Sequence, residues 1–323
     1  MILLAGGEQL PPFTPAALFT QAEPFSLATA VVVVAAVAYA LGLARLRRRG
    51  IAWPVGRTVG FGAGLFVIAF ATGSGLEAYD TTLLSTHMVQ HMLLGMVGPI
   101  LLALGAPVTL ALRVLTPGPR RGLLAVLHSR VAAVLTFPLV SFALFVASPF
   151  ALYFSGLYRA SLEYPWVHEL VHAHFVIVGC LFFWPLIGID PVPGRMSYPL
   201  RALIAFLSTP FHTVLGLTVM STGDLLGGDW YPSLHLTWAD PSADQNLAGG
   251  ILWAGGEFVA VAMIAAMVWQ WMRASERESA RIDRALDRAE AEEPEWQTPW
   301  FVREPPSGGP VGSTGSYEAE THR

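Results

Sequence analysis

The 323-residue chain has no lysine and a single cysteine, Cys180, and charged residues make up only 13% of it. Each shortage removes a class of function. A retinal Schiff base needs a lysine amine, so a rhodopsin-type photoreceptor is excluded even though the span count below would suit one. One cysteine makes neither a CxC nor a CxxxC pair, which excludes soft-metal capture by paired thiolates. No wide polar block separates the apolar runs, so there is no soluble enzyme domain between them, and no basic groove is offered to nucleic acid. What the chain has in quantity is hydrophobic: 54% of residues, with a mean hydropathy of +0.52. That is the composition of a membrane protein.

Seven apolar runs reach the ~20 residues a helix needs to cross a bilayer core. They lie near 25–46, 58–75, 83–104, 131–153, 166–189, 200–222 and 247–271. All 19 basic residues are arginines, and 18 of them flank alternate loops or the C-terminal tail. Arg45, Arg47, Arg48, Arg49 and Arg57 bracket the first loop, Arg113, Arg120, Arg121 and Arg130 the third, Arg195 and Arg201 the fifth. Only Arg159 falls on the other side, so the positive-inside rule puts the N-terminus outside and the C-terminus in the cytoplasm. Glu77, Asp80, Glu163, Asp224, Asp229, Asp240 and Asp244 then belong to the outer loops.

The expected fold class is thus an all-α membrane protein, a seven-transmembrane-helix bundle in a bacterial cytoplasmic membrane. Residues 1–24 form an extracytoplasmic segment, 25–272 the bundle, and 273–323 a cytoplasmic charged helix followed by a disordered tail after Glu293. The opening MILLAGGEQLPP lacks a basic leader and its apolar stretch is too short for a signal peptide. Gly98-Pro99 and Gly105-Ala106-Pro107 should kink or end the third span, and Pro138, Pro185 and Pro210 should bend theirs. No internal repeat is found.

Histidines carry the functional signal. Counting ~1.5 Å per residue from the outer surface places His87, His91, His168, His172, His212 and Glu257 in the outer half of the membrane. His87 with His91, and His168 with His172, are i,i+4 pairs, each with two imidazoles on one helix face. Two such faces turned toward each other offer up to four nitrogen ligands, whereas His174 lies about 240° around from His168 and should point elsewhere. Ionisable groups inside a membrane usually mark a functional site, although interhelical hydrogen bonding is the simpler use of any one of them.

His168-Glu169-Leu170-Val171-His172 also satisfies HExxH, the pattern of zinc metalloproteases. An intramembrane zinc protease would need a third ligand and Glu169 as general base. The nearest later carboxylate, Asp190, lies roughly 27 Å further along the same helix, out of reach. Glu257 or a third-span histidine could reach that metal.

The segments HMVQHMLLGMVGPILLALGAPVTLALR (87–113), PWVHELVHAHFVIVGCLFFWPLIGIDPVPGRMSYPLRAL (165–203), STPFHTVLGL (208–217) and DQNLAGGILWAGGE (244–257) resemble the multi-span CtaG family of cytochrome c oxidase assembly factors. The resemblance covers nearly all of 57–272 and is carried by His87, His91, His168, His172, His212, Asp244, Gln245, Trp253 and Glu257. It implies maturation of an aerobic terminal oxidase by handling copper on the outer face, with oxidase subunits, the lipid bilayer and an extracytoplasmic copper donor as partners. On that reading the five histidines bind Cu(I), which is passed to a docked subunit, and no turnover is assigned.

Other residues have two readings each. Met88, Met92 and Met96 form an i,i+4,i+8 stripe that either fills the core or supplies thioethers to Cu(I). Asp244 either collects cations with Asp229, His235 and Asp240 or, the preferred reading, is the N-cap of the seventh span. Glu257 is a ligand, a proton acceptor for a ligating imidazole, or a neutral buried carboxyl. A membrane haem b protein, with facing axial histidines, and a metal-free assembly scaffold complete the alternatives.

Overall fold

A computed structural model describes residues 10–23, 25–193 and 196–292. Among these, the apolar runs fold as helices, and no strand occurs. The spanning helices are α1 (Leu27–Arg48), α2 (Val55–Gly73), α3 (Leu84–Leu104), the pair α4 (Pro138–Tyr153) and α5 (Gly156–Glu163), then α6 (Pro165–Ile187), α7 (Tyr198–Ser221) and α8 (Pro241–Glu292). Local chemistry sets their starts. Ser26 accepts from the Thr29 amide at 3.1 Å to cap α1, and α4, α6 and α7 each have proline in the first turn, where a missing N–H costs nothing. Arg45, Arg47 and Arg48 close the last turn of α1, at the negative end of its dipole.

The fourth span departs from the continuous 131–153 helix read from the sequence. A short helix, Arg130–Leu135, stops before Phe137, which takes extended backbone (ψ 131°) because the Pro138 ring disfavours helical geometry in the preceding residue. After α4 the chain turns by 71° at Phe154 and Ser155, and Ser155 caps α5 by accepting from the Leu157 amide. Among the described residues, six helices are long and apolar enough to cross a membrane, or seven if the bent α4–α5 pair is one span, by length and composition.

Prolines act unevenly elsewhere. In α3 the turn before Pro99 widens to a π-helix over Leu93–Val97, the accommodation expected when proline removes a donor and crowds the preceding turn. Ala106 adopts a left-handed conformation (φ 50°) that ends the span before Pro107. Pro185 and Pro210 sit inside α6 and α7, which run through them unbroken.

Helix α3 lies between α2 and α6, and α6 also packs on α4 and α5. The close approach of α3 and α6 depends on Gly179, where a Cβ would overlap the Gly95 carbonyl and the Pro99 ring. Helix α1 is the least buried span, and apolar side chains such as Val34, Phe66, Ile177, Phe206 and Phe258 point outward. A surface of that kind suits lipid rather than water.

The two ends of the bundle differ in charge. At one end Arg49 donates to the Arg113 carbonyl at 2.8 Å, and Arg57 and Arg113 lie 5.0 and 5.6 Å over the Trp53 ring. At the other, Arg159 pairs with Glu163 and Asp229. There Leu10, Phe13 and Ala17 pack on Tyr79, Leu83 and Trp238, so the N-terminal segment covers the histidine end. The chain divides into two compact units at Trp271 and Met272. In the second, the described residues are helical and, apart from the half-buried Ala274, exposed where their burial is given, as the charge pattern from Arg273 onward predicts. The opening residues 1–9, Arg195, and the tail from Glu293 with Arg303 and Arg323 lie outside the described residues.

Candidate metal centre

Where α2 ends at Gly73, Ser74 caps a short helix, Gly75–Tyr79, by accepting from the Leu76 amide. That helix extends the span from Val55 to Tyr79, and at its end Asp80 is buried, 1% exposed, and Glu77 half-buried. Thr86 locks it in place by donating to the Tyr79 carbonyl at 2.7 Å. The start of α3 is held from across the bundle, since Asp244 accepts from the Ser85 amide at 3.2 Å and from the Ser85 hydroxyl. The N-cap position of α8, expected for Asp244, belongs to Asp240, which accepts from the Ser242 amide at 3.0 Å. Sequence reasoning had the right kind of role for Asp244 on the wrong helix.

These devices bring three helix starts together. His168 Nε2 meets Asp80 Oδ2 at 2.5 Å, and His172 Nε2 lies 3.6 Å from the same oxygen. His172 Nδ1 is 3.8 Å from Glu77 Oε2, while its Nε2 donates to Gln90 Oε1 at 3.0 Å. Gln90 in turn donates to Glu77 at 2.7 Å and to the Ala71 carbonyl at 2.9 Å, which fixes its amide and hence the His172 ring. Two ligand groups result, Asp80 with His87 and His168, and Glu77 with His168 and His172, each with one ligand atom per residue and those atoms all within 4.8 Å of one another.

His87 is the informative member. It is 2% exposed, and neither of its ring nitrogens has a hydrogen-bond partner. His168 Nδ1 and His172 Nδ1 are likewise unpartnered. Leaving a buried polar atom unpaired costs ~1–3 kcal/mol. An ion takes one nitrogen from each ring, so three imidazoles with unpartnered nitrogens beside two carboxylates are an arrangement that a bound metal would relieve in part. Around it Tyr153 and Tyr158 pack edge-on to His87, with centroids 5.9 and 5.3 Å away, and Tyr158 shares a 2.5 Å hydrogen bond with Tyr231. Tyr231 lies in the loop beyond α7, and burial raises its hydroxyl well above the usual phenol pKa.

The other sequence-selected residues are distributed around this centre. His91, one turn deeper, binds Tyr153 through Nδ1 at 2.8 Å and packs on Phe175 with centroids 3.8 Å apart, so it is not in either group. His212 has Nδ1 3.4 Å from the Ser208 carbonyl and its ring against Phe145. His174 faces away, bonded to Ser148. Glu257 accepts from Thr213 at 2.5 Å, Met88 and Met92 are part of the hydrophobic core, and Gln245 holds the loop between α7 and α8 through Leu226 and Asp224. Asp190 caps the helix Pro107–Val114 at the far end of α6, as its distance along the helix required. Glu77, Asp80 and Gln90 were missed as site residues. A partial signal was present: two carboxylates three apart in GLEAYD, six residues ahead of HMVQH, which itself contains Gln90.

Residues 37–274 match the model of the cytochrome c oxidase caa3 assembly factor family, Caa3_CtaG. An uncharacterized protein of Mycobacterium bovis and one of Mycobacterium tuberculosis are each 44% identical to this chain over 290 residues, 87% of it and 44% of the relative. A third, of Mycobacterium leprae, is 40% identical over 276 residues, 83% of this chain and 42% of the relative. The chain therefore spans less than half the length of these curated relatives. No solved structure matches it.

Proposed function

The chain belongs to the cytochrome c oxidase caa3 assembly factor family, and from that premise we propose that it carries copper for an oxidase subunit, as cargo rather than as a catalytic cofactor. The ion sits among Asp80, His87, His168, His172 and Glu77. One observation carries the reading: His87 is buried with both nitrogens free, and its ligand atom lies within 4.8 Å of those of Asp80 and His168. From sequence, five imidazoles come first among the donors, with Met88, Met92, Glu257 and Asp244 as further candidates, and Glu77 and Asp80 are not included. With two carboxylates in the cluster, the donor set favours Cu(II) over Cu(I), and the negative charges offset a dication held away from water. Gln90 orients His172 and keeps Glu77 close.

Cargo must also leave. Short connections and the N-terminal segment cover this end of the bundle, so a subunit docking there would meet the cluster through the Gly75–Tyr79 helix and the loop between α7 and α8. Delivery is then exchange of ligands, with no bond made or broken in the protein. The direct test uses cells lacking this chain and complemented with Asp80→Asn or His168→Ala. The expected result is an oxidase present in the membrane but deficient in copper. Full oxidase activity with both variants would remove this cluster as the site that carries the copper.

A zinc-hydrolase reading has one observation in its favour, because Glu77 completes a His₂Glu set with His168 and His172. It predicts bound zinc and a hydrolysis lost on Glu169→Gln. A haem has no such support: rings packed at 4.3 Å for His168 and His172 and 3.8 Å for His91 and Phe175 leave no slot for a macrocycle.

A further inference from the structure

One helical turn below the carboxylate cluster, about 6 Å along α3, lies a second histidine pair with different surroundings. His91 and His212 are each 7% exposed. Each has Nδ1 engaged, by the Tyr153 hydroxyl and the Ser208 carbonyl respectively, so Nε2 is the nitrogen that each ring can offer a ligand. With Met96 they line a cavity of about 10 Å³ whose other walls include Phe145, Phe175 and Val178. Gly95 leaves the His91 ring accessible, since a Cβ there would sit 3.5 Å from its Cδ2 and 3.8 Å from its Nε2.

That volume is at the lower limit for one water, and a water there would find two imidazoles and otherwise apolar or sulfur neighbours. A hydrated or carboxylate-seeking dication has nothing to replace its shell. Two imidazole nitrogens and a thioether in a dry pocket are instead the ligands of a soft monovalent ion, which accepts low coordination and needs less charge compensation. We propose that His91, Met96 and His212 form a second metal site, selective for Cu(I), distinct from the divalent cluster at Asp80, His87 and His168.

The proposal deepens the proposed function by giving the copper carrier two sites of different hardness, and it rests on that reading only for the identity of the ion. Ag(I), a redox-inert stand-in for Cu(I), and Cu(II) are titrated separately into the purified full-length chain carrying Cys180→Ser, which removes the one thiol. One Ag(I) per chain is expected. Met96→Leu conserves volume and so preserves packing; with His212→Gln as a second variant, each should weaken Ag(I) by about tenfold or more. Asp80→Asn should leave Ag(I) bound while removing Cu(II). X-ray absorption of the Cu(I)-loaded chain should show a sulfur neighbour that Met96→Leu abolishes. Absence of Ag(I) binding, or Ag(I) affinity unchanged in both Met96→Leu and His212→Gln, overturns the proposal. Ag(I) binding with these dependences but no Cu(II) binding supports the deeper site and removes the carboxylate-cluster reading instead.

Discussion

Helix α6 has a buried aspartate near each of its ends, Asp80 packed against its start and Asp190 just beyond its finish, 1% and 4% exposed. Their partners differ. Asp190 accepts from the Val108 and Thr109 amides, the Thr109 hydroxyl and the Trp184 indole, at 3.1, 2.7, 2.5 and 3.0 Å. Every one of those donors is a fixed part of the protein, and the carboxylate serves to anchor the helix Pro107–Val114 through its N-terminal amides. Asp80 instead faces His168 and His172, with the unpartnered His87 alongside. Imidazole nitrogens can exchange a hydrogen bond for a metal. Burial alone does not separate a structural carboxylate from a functional one, and the chemistry of the neighbours does.

The contrast can be broken experimentally. The largest change should follow Asp190→Ala, which strips the acceptor from four donors and should cost about 3 kcal/mol or more of stability. Thermal unfolding in detergent measures it, and copper per folded chain should be unaltered. Unchanged stability would remove the distinction between the two aspartates. His168→Ala should act chiefly on the metal, since His168 belongs to both ligand groups: copper affinity falls about 100-fold, while the loss of Asp80's nearest partner costs about 1–3 kcal/mol of stability.

Smaller effects sharpen the picture. Tyr153→Phe removes the hydroxyl bonded to His91, worth about 0.5–1.5 kcal/mol, so affinity for Ag(I) should fall by up to about tenfold with Cu(II) binding intact. A fall in Cu(II) affinity alone would reassign Tyr153 to the upper cluster. The least change should come from Arg159→Ala. Its ion pairs with Glu163 and Asp229 are partly solvated, and exposed pairs contribute less than about 1 kcal/mol, so stability should move within that limit and metal binding not at all.

Much of this could be read from the chain before folding. The spans follow from run length, and the arginine bias separates the ends of the bundle because charge is so scarce elsewhere. The break in the fourth span was only half legible: Pro138 announced a disturbance, but the 71° turn depends on Ser155 capping α5, a choice between helical continuation and restart that tertiary packing decides. The i,i+4 spacing identified the histidines. It did not reveal that His87 and His91 serve different surroundings, since four residues also means a full turn of depth, enough to pass from carboxylates to phenylalanines. Glu77 and Asp80 were hidden by their apparent place in an outer loop. The second span continues past Ser74 to Tyr79 and leaves Asp80 buried at its end, and nothing in GLEAYD itself dictates that placement.

The central claim is that the carboxylate and histidine cluster holds copper. Metal content per chain, measured by mass spectrometry on protein purified from its own membranes together with an Asp80→Asn variant that elutes and unfolds like the original, tests it most directly. The account predicts copper in the unaltered chain and its loss from the cluster in the variant, with nitrogen and oxygen neighbours in the absorption spectrum of the bound Cu(II). An unaltered chain free of metal that still supports oxidase maturation, or copper retained in full by the variant, would contradict it.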